Sequence, residues 1–139
     1  MKVKIKKLNE NGRIPKYSRE GDAGLDLTAA SVEFNRGIFS YGTGIAVEIP
    51  DGHVGLIYPR SSISKYDLML CNHVGVIDSN YRGEIILKFK STRDFPNIFL
   101  VGDKIGQLII VPYPKINFVE VEELSETNRG SQGFGSSGA

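Results

Sequence analysis

The sequence has little that could cross-link it, bind zinc or hold it in a membrane. Its 139 residues include one Cys, two His, two Met and no Trp. A single Cys excludes an internal disulfide, and one Cys with two His argues against an all-protein zinc site. No apolar run is long enough to span a bilayer, and the first residues lack the apolar stretch of a signal peptide. We therefore expect a cytoplasmic globular protein.

Excess charge of either sign is also missing. Lys and Arg number 17 against 16 Asp and Glu, which gives a net charge of +1. This balance argues against a partner held by bulk electrostatics, so we expect neither nucleic acid nor a membrane surface as a partner. The length fits one domain of ~100–200 residues. Glycine, in contrast, is abundant, with 16 residues.

Apolar and polar residues alternate in several short segments, which is typical of β-strands with one buried face. The alternating segments are residues 2–6, 45–49, 85–90 and 119–122. Gly, Pro, Asn and Asp turns separate them, so the pattern predicts an all-β sandwich or barrel. Ile63, Tyr66 and Leu70 instead follow a helical spacing, which predicts one short helix over Ser61–Leu70.

Five segments place small or polar residues where a β domain normally prefers apolar ones. They are Asp22–Leu27, Pro59–Ser64, Gly75–Glu84, Gly102–Leu108 and Arg129–Gly138. Their residue types suit a nucleotide with phosphates, a metal ion and a base–sugar pair.

Each polar residue of these segments also has an ordinary structural explanation. Arg60 at the start of the predicted helix could bind phosphate, or could be a surface residue beside a serine cap. Asp78 could act as a general base, or could bond its own turn. Asp26 could attract Mg²⁺ near phosphates, or could be a solvated strand residue.

The C-terminal segment and Gln107 present the same choice. Gln107 interrupts an apolar run, and a partly buried amide needs partners that either a ligand or the protein could supply. The residues from Arg129 onward have the composition of a flexible tail. Phe134 is unusual in such a tail, because aromatic residues are depleted from disordered segments.

In this order and at these separations, the five segments resemble the five motifs of the trimeric deoxyuridine triphosphatases (dUTPases). GVIDSNYRGE and RGSQGFGSSG together carry most of the resemblance. It implies a distorted jelly-roll β-barrel over residues 1–128 and a flexible C-terminal lid over residues 129–139. It also implies a homotrimer whose active sites are shared between subunits. The expected reaction converts dUTP and water to dUMP and pyrophosphate, which limits uracil in DNA and supplies dUMP for thymidylate synthesis.

The resemblance also assigns roles to individual residues. Asp78 corresponds to the residue that activates water for attack on the α-phosphorus, and Asp26 to the acid that holds Mg²⁺ through water. Tyr81 corresponds to the aromatic residue that packs on deoxyribose and leaves no room for a 2′-hydroxyl, and Asn72 lies in the segment that reads uracil. The remaining substrate-binding positions are Arg60, Ser61, Ser62, Gln107, Arg129, Phe134, Gly135, Ser136 and Ser137, with Phe134 over the base.

Three alternatives compete with this interpretation. The related dCTP deaminases share the fold, but the position of their catalytic Glu is Lys88 here, which could not serve as that base at neutral pH. A non-catalytic nucleotide-sensing or protein-binding module would not need Asp26, Asp78, Arg129 and Phe134 together. A plain structural β domain would leave the tail and the polar segments unexplained.

Overall fold

The structure is a computed structural model that describes residues 1–138; Ala139, the last residue of the predicted lid, lies outside the described residues. Short strands and one 3-10 helix, over Ser61–Lys65, make up its regular structure. The strands are β1 (Lys4–Lys7), β2 (Leu25–Thr28), β3 (Ser31–Asn35), β4 (Ile38–Gly42), β5 (Ile45–Glu48), β6 (His53–Tyr58), β7 (Leu68–Leu70), β8 (Gly75–Ile77), β9 (Ile86–Ser91) and β10 (Lys104–Pro112).

Two four-stranded antiparallel sheets form the body of the fold. Their strand orders are β2-β10-β6-β8 and β3-β4-β9-β7, and β1 pairs with β5 beside them. Alternate residues of both sheets point inward, and the buried side chains form one continuous core between the sheets. The predicted all-β, distorted jelly-roll fold is therefore confirmed.

A β-bulge distorts the pairing of β10 with β2. Gln107 lies opposite Asp26 and Gly106 opposite Leu27, but the register then shifts, and Lys104 lies opposite Thr28. One extra residue on one strand reverses the face on which the next side chains lie. Lys104 is thereby on the same face of the sheet as Asp26.

The predicted helix over Ser61–Leu70 is only partly correct. The 3-10 helix ends at Lys65, and Leu68–Leu70 form strand β7, which pairs with β9. Leu68 and Leu70 are buried while Met69 is exposed, so strand alternation replaces the helical period there. The apolar residues Leu68 and Leu70 suit the buried face of a strand, and pairing with β9 favours the strand over a continued helix.

The strand predicted at residues 119–122 is absent. Residues 113–128 contain no regular structure, and the large apolar side chains of this segment are exposed; they are Ile116, Phe118, Val119, Val121 and Leu124. A strand needs a neighbour to satisfy its backbone groups, and the single chain offers this segment none. We call residues 113–128 the arm.

The exposed arm gives the chain an unusually large surface. Its accessible area is 10428 Å², whereas a compact monomer of 15.3 kDa would expose about 7,100 Å². The accessible area of the chain is therefore larger than that of a typical compact monomer of this mass.

Among the residues described, no helix is long and apolar enough to cross a membrane.

Tyr41 gives a test of the core through its pH dependence. Its buried hydroxyl donates to the Phe99 carbonyl at 3.0 Å, and burial raises the pKa of Tyr41 to about 12. In the unfolded chain the pKa is about 10. Between these values only the unfolded chain loses the proton, so stability falls as pH rises through this range.

We expect Tyr41→Phe to flatten this alkaline loss of stability. At neutral pH the variant should lose about 1–3 kcal/mol, because the Phe99 carbonyl is left without its donor. Urea unfolding between pH 7 and 12 measures both effects, with the exposed Tyr113→Phe as the control. An unchanged alkaline slope would contradict the assignment.

Candidate active site

Three of the predicted segments meet at one end of the sheet β2-β10-β6-β8. Asp26 on β2 lies directly opposite Gln107 on β10, and Gln107 lies opposite Tyr58 at the end of β6. Arg60 follows two residues later, with its Nε 2.9 Å from Asp26 Oδ1. The structure thus brings Asp26, Arg60 and Gln107 together.

Asp26 is the electrostatic centre of this group. Its side chain is only 11% exposed, and Lys104 Nζ lies 2.6 Å from its Oδ2. Ser18 Oγ donates to the same oxygen at 2.5 Å. Burial by itself would raise the pKa of Asp26, but the contacts with Lys104, Ser18 and Arg60 outweigh it, and the pKa is lowered. Asp26 is therefore held as a carboxylate.

Gln107 supports the neighbouring segment rather than standing free for a ligand. Its Nε2 donates to the Pro59 carbonyl at 3.1 Å, directly before Arg60. A Cβ at Gly24 would overlap the Gln107 side-chain oxygen, so glycine at that position makes room for the amide. The expected ligand partner for this amide is thus at least partly replaced by the protein backbone.

The 3-10 helix over Ser61–Lys65 is too short for its N-terminus to bind an anion strongly. Arg60 is its N-terminal cap residue and makes no side-chain capping bond, so the serine cap suggested by the sequence does not form. Ser61 is exposed and Ser62 half-buried, with Arg60 Nη1 3.4 Å from Ser62 Oγ. Because one short turn has little dipole, the Arg60 guanidinium is the main cationic group here.

Asp78 lies at the opposite end of the same sheet. Strand β8 is antiparallel to β6, with Ile77 opposite Gly55, so Asp78 lies near the start of β6. It lines a hollow of about 420 Å³ with His53, whereas Asp26 lines a different hollow of about 610 Å³. From Val54 to Tyr58 the strand spans about 13 Å at ~3.3 Å per residue. One chain therefore does not bring Asp78 to Arg60.

The Tyr81 side chain packs on the turn that contains it, and part of its ring is exposed to solvent. Its hydroxyl donates to the Glu84 carbonyl at 2.9 Å, and the residue is 43% exposed. A Cβ at Gly83 would overlap the ring, which explains the glycine there. Asn72 is exposed in the connection between β7 and β8, beside Gly75. Both side chains are accessible to a ligand.

The residues of the predicted lid form local turns away from the barrel. Within residues 1–138, the hydrogen bonds of the segment 127–138 join residues of that segment only, such as Arg129 Nε to the Gln132 carbonyl at 3.0 Å. Phe134 is fully exposed and has a positive φ of 51°. Gly135, Ser136 and Ser137 are also exposed. In one chain the lid residues contact neither Asp26 nor Asp78.

The acidic residues alone do not form a metal site. In the described part of the chain no three His, Cys, Asp or Glu side chains converge on one point. The two oxygens of Asp26 offer about four acceptor positions, and Arg60, Lys104 and Ser18 already contact them. What remains fits a single contact to a metal-bound water, which is how Mg²⁺ commonly binds beside phosphates.

Lys104 and Ser18 were not among the residues predicted from the sequence. Lys104 lies inside the predicted segment Gly102–Leu108, but its place beside Asp26 depends on the bulge in β10. Ser18 lies outside all five segments, and no pattern in the sequence marks it.

An antiparallel jelly roll that gathers two cations, an amide and a carboxylate at one sheet end is suited to a phosphate-bearing ligand. The chain belongs to the dUTPase family: the family profile described as dUTPase matches residues 10–138.

Named relatives agree with this assignment over almost the whole chain. Deoxyuridine 5′-triphosphate nucleotidohydrolase of Hydrogenobaculum is 40% identical, with 99% of both chains covered. The Corynebacterium glutamicum protein of the same name is 41% identical and covers 98% of this chain and 94% of its own. The solved dUTPase of Staphylococcus bacteriophage 80alpha with dUPNHPP has a TM-score of 0.86 at 30% identity, with 99% of both chains covered.

Proposed function

We propose that this chain hydrolyses dUTP to dUMP and pyrophosphate at active sites assembled from different copies of the chain. The observation that carries the proposal is the division of the functional residues within one chain. The cationic group around Arg60 lies at one end of a sheet, Asp78 lies at the other end, and the lid residues contact neither. The proposal assigns the phosphates to the group around Arg60, the activation of water to Asp78 and the covering of the site to the lid.

Asp78 is the proposed general base. An exposed carboxylate can accept a proton from water and direct the resulting hydroxide toward the α-phosphorus. The new bond joins the water oxygen to that phosphorus, and the bond to the bridging oxygen breaks. Pyrophosphate leaves with the bonding electron pair, and Arg60 stabilises the charge on the phosphate oxygens.

Asn72 and Tyr81 are proposed to select the nucleoside. Asn72 lies in the connection that would present backbone groups to the uracil edge. The open side of the Tyr81 ring would pack against deoxyribose and exclude a ribose 2′-hydroxyl. Rejection of a base by unpaired polar groups discriminates strongly, because those groups lose their hydrogen bonds to water without replacement.

Mg²⁺ is the proposed cofactor, held mainly by the triphosphate and by Asp26 through water. When bound, it would neutralise part of the phosphate charge. Asp26 keeps its charge and its orientation through Arg60, Lys104 and Ser18, whether or not the ion is present.

The proposed assembly is a homotrimer. The arm exposes a series of apolar side chains, as do the strands nearest the third motif, where Val76 is 60% exposed and Ile86 47%. Glu120, Glu122 and Glu123 make the arm acidic, while β1 and its neighbours carry Lys2, Lys4, Lys6 and Lys7. Among the described residues β1 pairs only with β5, so its other edge could accept the arm of a second copy.

Residues 129–139 are the proposed lid over a site on another copy. Phe134 would stack on the base, while Arg129, Ser136 and Ser137 would contact the phosphates together with Ser61 and Ser62. Arg129, Phe134, Ser136 and Ser137 are exposed, and the turns around them are local, which leaves these groups available for such contacts. The free, exposed Cys71 suits a reducing compartment, in keeping with the proposed cytoplasmic location.

A dCTP deaminase activity is not favoured. Lys88 lies exposed on β9, at the position where the deaminases need a carboxylate base. A purely regulatory module would not require the half-buried Asp26 with its two ion pairs.

Pyrophosphate release from a panel of nucleotides tests the activity. We expect turnover of dUTP, with dCTP, dTTP and UTP at least about a hundredfold slower. Asp78→Asn should bind a non-hydrolysable dUTP analogue like the wild type but lose turnover by about 10²–10⁴-fold, because it removes the base. Asp94→Asn, on an exposed loop, is the matched control. Equal turnover of all four nucleotides, or of none, would refute the proposal.

Mixing two inactive variants tests whether sites are shared. Asp78→Asn and Arg60→Ala chains, unfolded together in equal amounts and refolded, should recover about one quarter of wild-type activity. In a random mixture, that fraction of sites draws an intact Asp78 and an intact Arg60 from different chains. Each variant refolded alone is the control. No recovery would mean that both residues of a site come from one chain.

Removal of the lid tests its role. A chain that ends at Asn128 should keep the oligomeric state and thermal stability of the full protein, since residues 129–138 make no hydrogen bonds to the barrel. Its kcat/KM for dUTP should fall by at least about a hundredfold, because water exclusion and phosphate contacts are lost. Size-exclusion chromatography and steady-state kinetics measure the two quantities. Full activity in the shortened chain would contradict the lid.

A further inference from the structure

Lys104 and Ser18 are hydrogen-bonded to Asp26 and to each other. The proposed mechanism gives neither Lys104 nor Ser18 a contact with the nucleotide. Lys104 Nζ lies 2.6 Å from Asp26 Oδ2 and donates to Ser18 Oγ at 2.8 Å. Ser18 Oγ in turn donates to the same Asp26 oxygen at 2.5 Å. The three groups therefore close a triangle around one carboxylate oxygen, while the other oxygen faces Arg60.

The contact between Lys104 and Asp26 depends on the bulge in β10. Without the bulge in β10, Lys104 would lie opposite Ala29 and on the other face of the sheet from Asp26. The register shift between Lys104 and Gly106 puts Lys104 opposite Thr28 instead. Bulges re-aim side chains in this way, and they recur beside functional sites.

Lys104 changes the net charge of the cluster that contains Asp26 and Arg60. A nearly buried Asp26 with Arg60 alone would form a neutral pair, and the carboxylate would compete with phosphate for the guanidinium. With Lys104 added, the cluster carries one net positive charge. Asp26 shares its charge between two cations, and its closest contact with Arg60 is through Nε.

We propose that Lys104, with Ser18, is a positioning residue that holds Asp26 and thereby keeps the Arg60 guanidinium oriented for phosphate. Lys104 acts through Asp26 and does not itself contact the nucleotide. This inference rests on the proposed function, since it concerns how Arg60 binds the phosphates of dUTP.

A double-mutant cycle tests the inference in binding rather than in turnover. Affinity for a non-hydrolysable dUTP analogue is measured by calorimetry in EDTA, for the wild type, Lys104→Met, Asp26→Asn and the double variant. Lys104→Met should weaken binding by about 10–100-fold, as loss of an orienting partner commonly does. In the Asp26→Asn background the same change should cost less than about twofold, because its target is gone.

Two further variants separate positioning from simple stability. Lys104→Arg should recover most of the affinity, because it restores a cation to Asp26. Lys90→Met, an exposed lysine on the other sheet, should bind like the wild type. Thermal unfolding and oligomeric state are measured for each variant. If Lys104→Met does not fold, Ser18→Ala replaces it in the cycle, with a smaller loss expected and the same dependence on Asp26.

Each outcome decides the matter. An equal loss in both backgrounds would mean that Lys104 contacts the phosphates directly, and an unchanged affinity in the single variant would mean that it has no role; either result overturns the inference. Failure of the proposed function is distinguishable from both, because the wild type would then neither bind the analogue nor release pyrophosphate from dUTP.

Discussion

The direction of strand β6 is the constraint on which the rest of the site depends. It pairs antiparallel with β10 on one side and with β8 on the other, so its end brings Arg60 to Asp26 and its start lies near Asp78. A hydrogen-bonded strand cannot fold back to close that distance. The exposed arm, the apolar strand faces and the detached lid are all consistent with a site completed by other copies of the chain.

Much of the fold could be predicted because strand alternation is a local signal. The segment at residues 85–90 is of this kind, and in β9 buried and exposed residues alternate. The segment at residues 45–49 also forms a strand, but Ile45, Ala46 and Val47 are all buried in it. The helix predicted over Ser61–Leu70 was only partly correct, because the 3-10 helix ends at Lys65 and Leu68–Leu70 pair with β9. The prediction of a strand at residues 119–122 was wrong because no other segment of residues 1–138 pairs with these residues in a sheet.

The candidate site was predictable where it depends on motif order and not where it depends on register. Asp26, Arg60 and Gln107 were each selected from motif positions, and the three lie together at one end of a sheet. Lys104 joins them only because of a bulge, which leaves no local signal in the sequence. The glycines at positions 24 and 83 likewise serve the protein's own side chains, because Gln107 and Tyr81 fill the space beside them.

The acidic, apolar arm also bears on how such a protein could be controlled. If catalysis needs several copies, then specific activity depends on protein concentration, because dilution separates the copies and leaves each active site incomplete. A molecule that bound the open edge of β1, where the arm of a second copy is proposed to pair, would inhibit dUTP hydrolysis without resembling a nucleotide. Quaternary structure would then be a point of intervention that leaves the nucleotide pocket untouched.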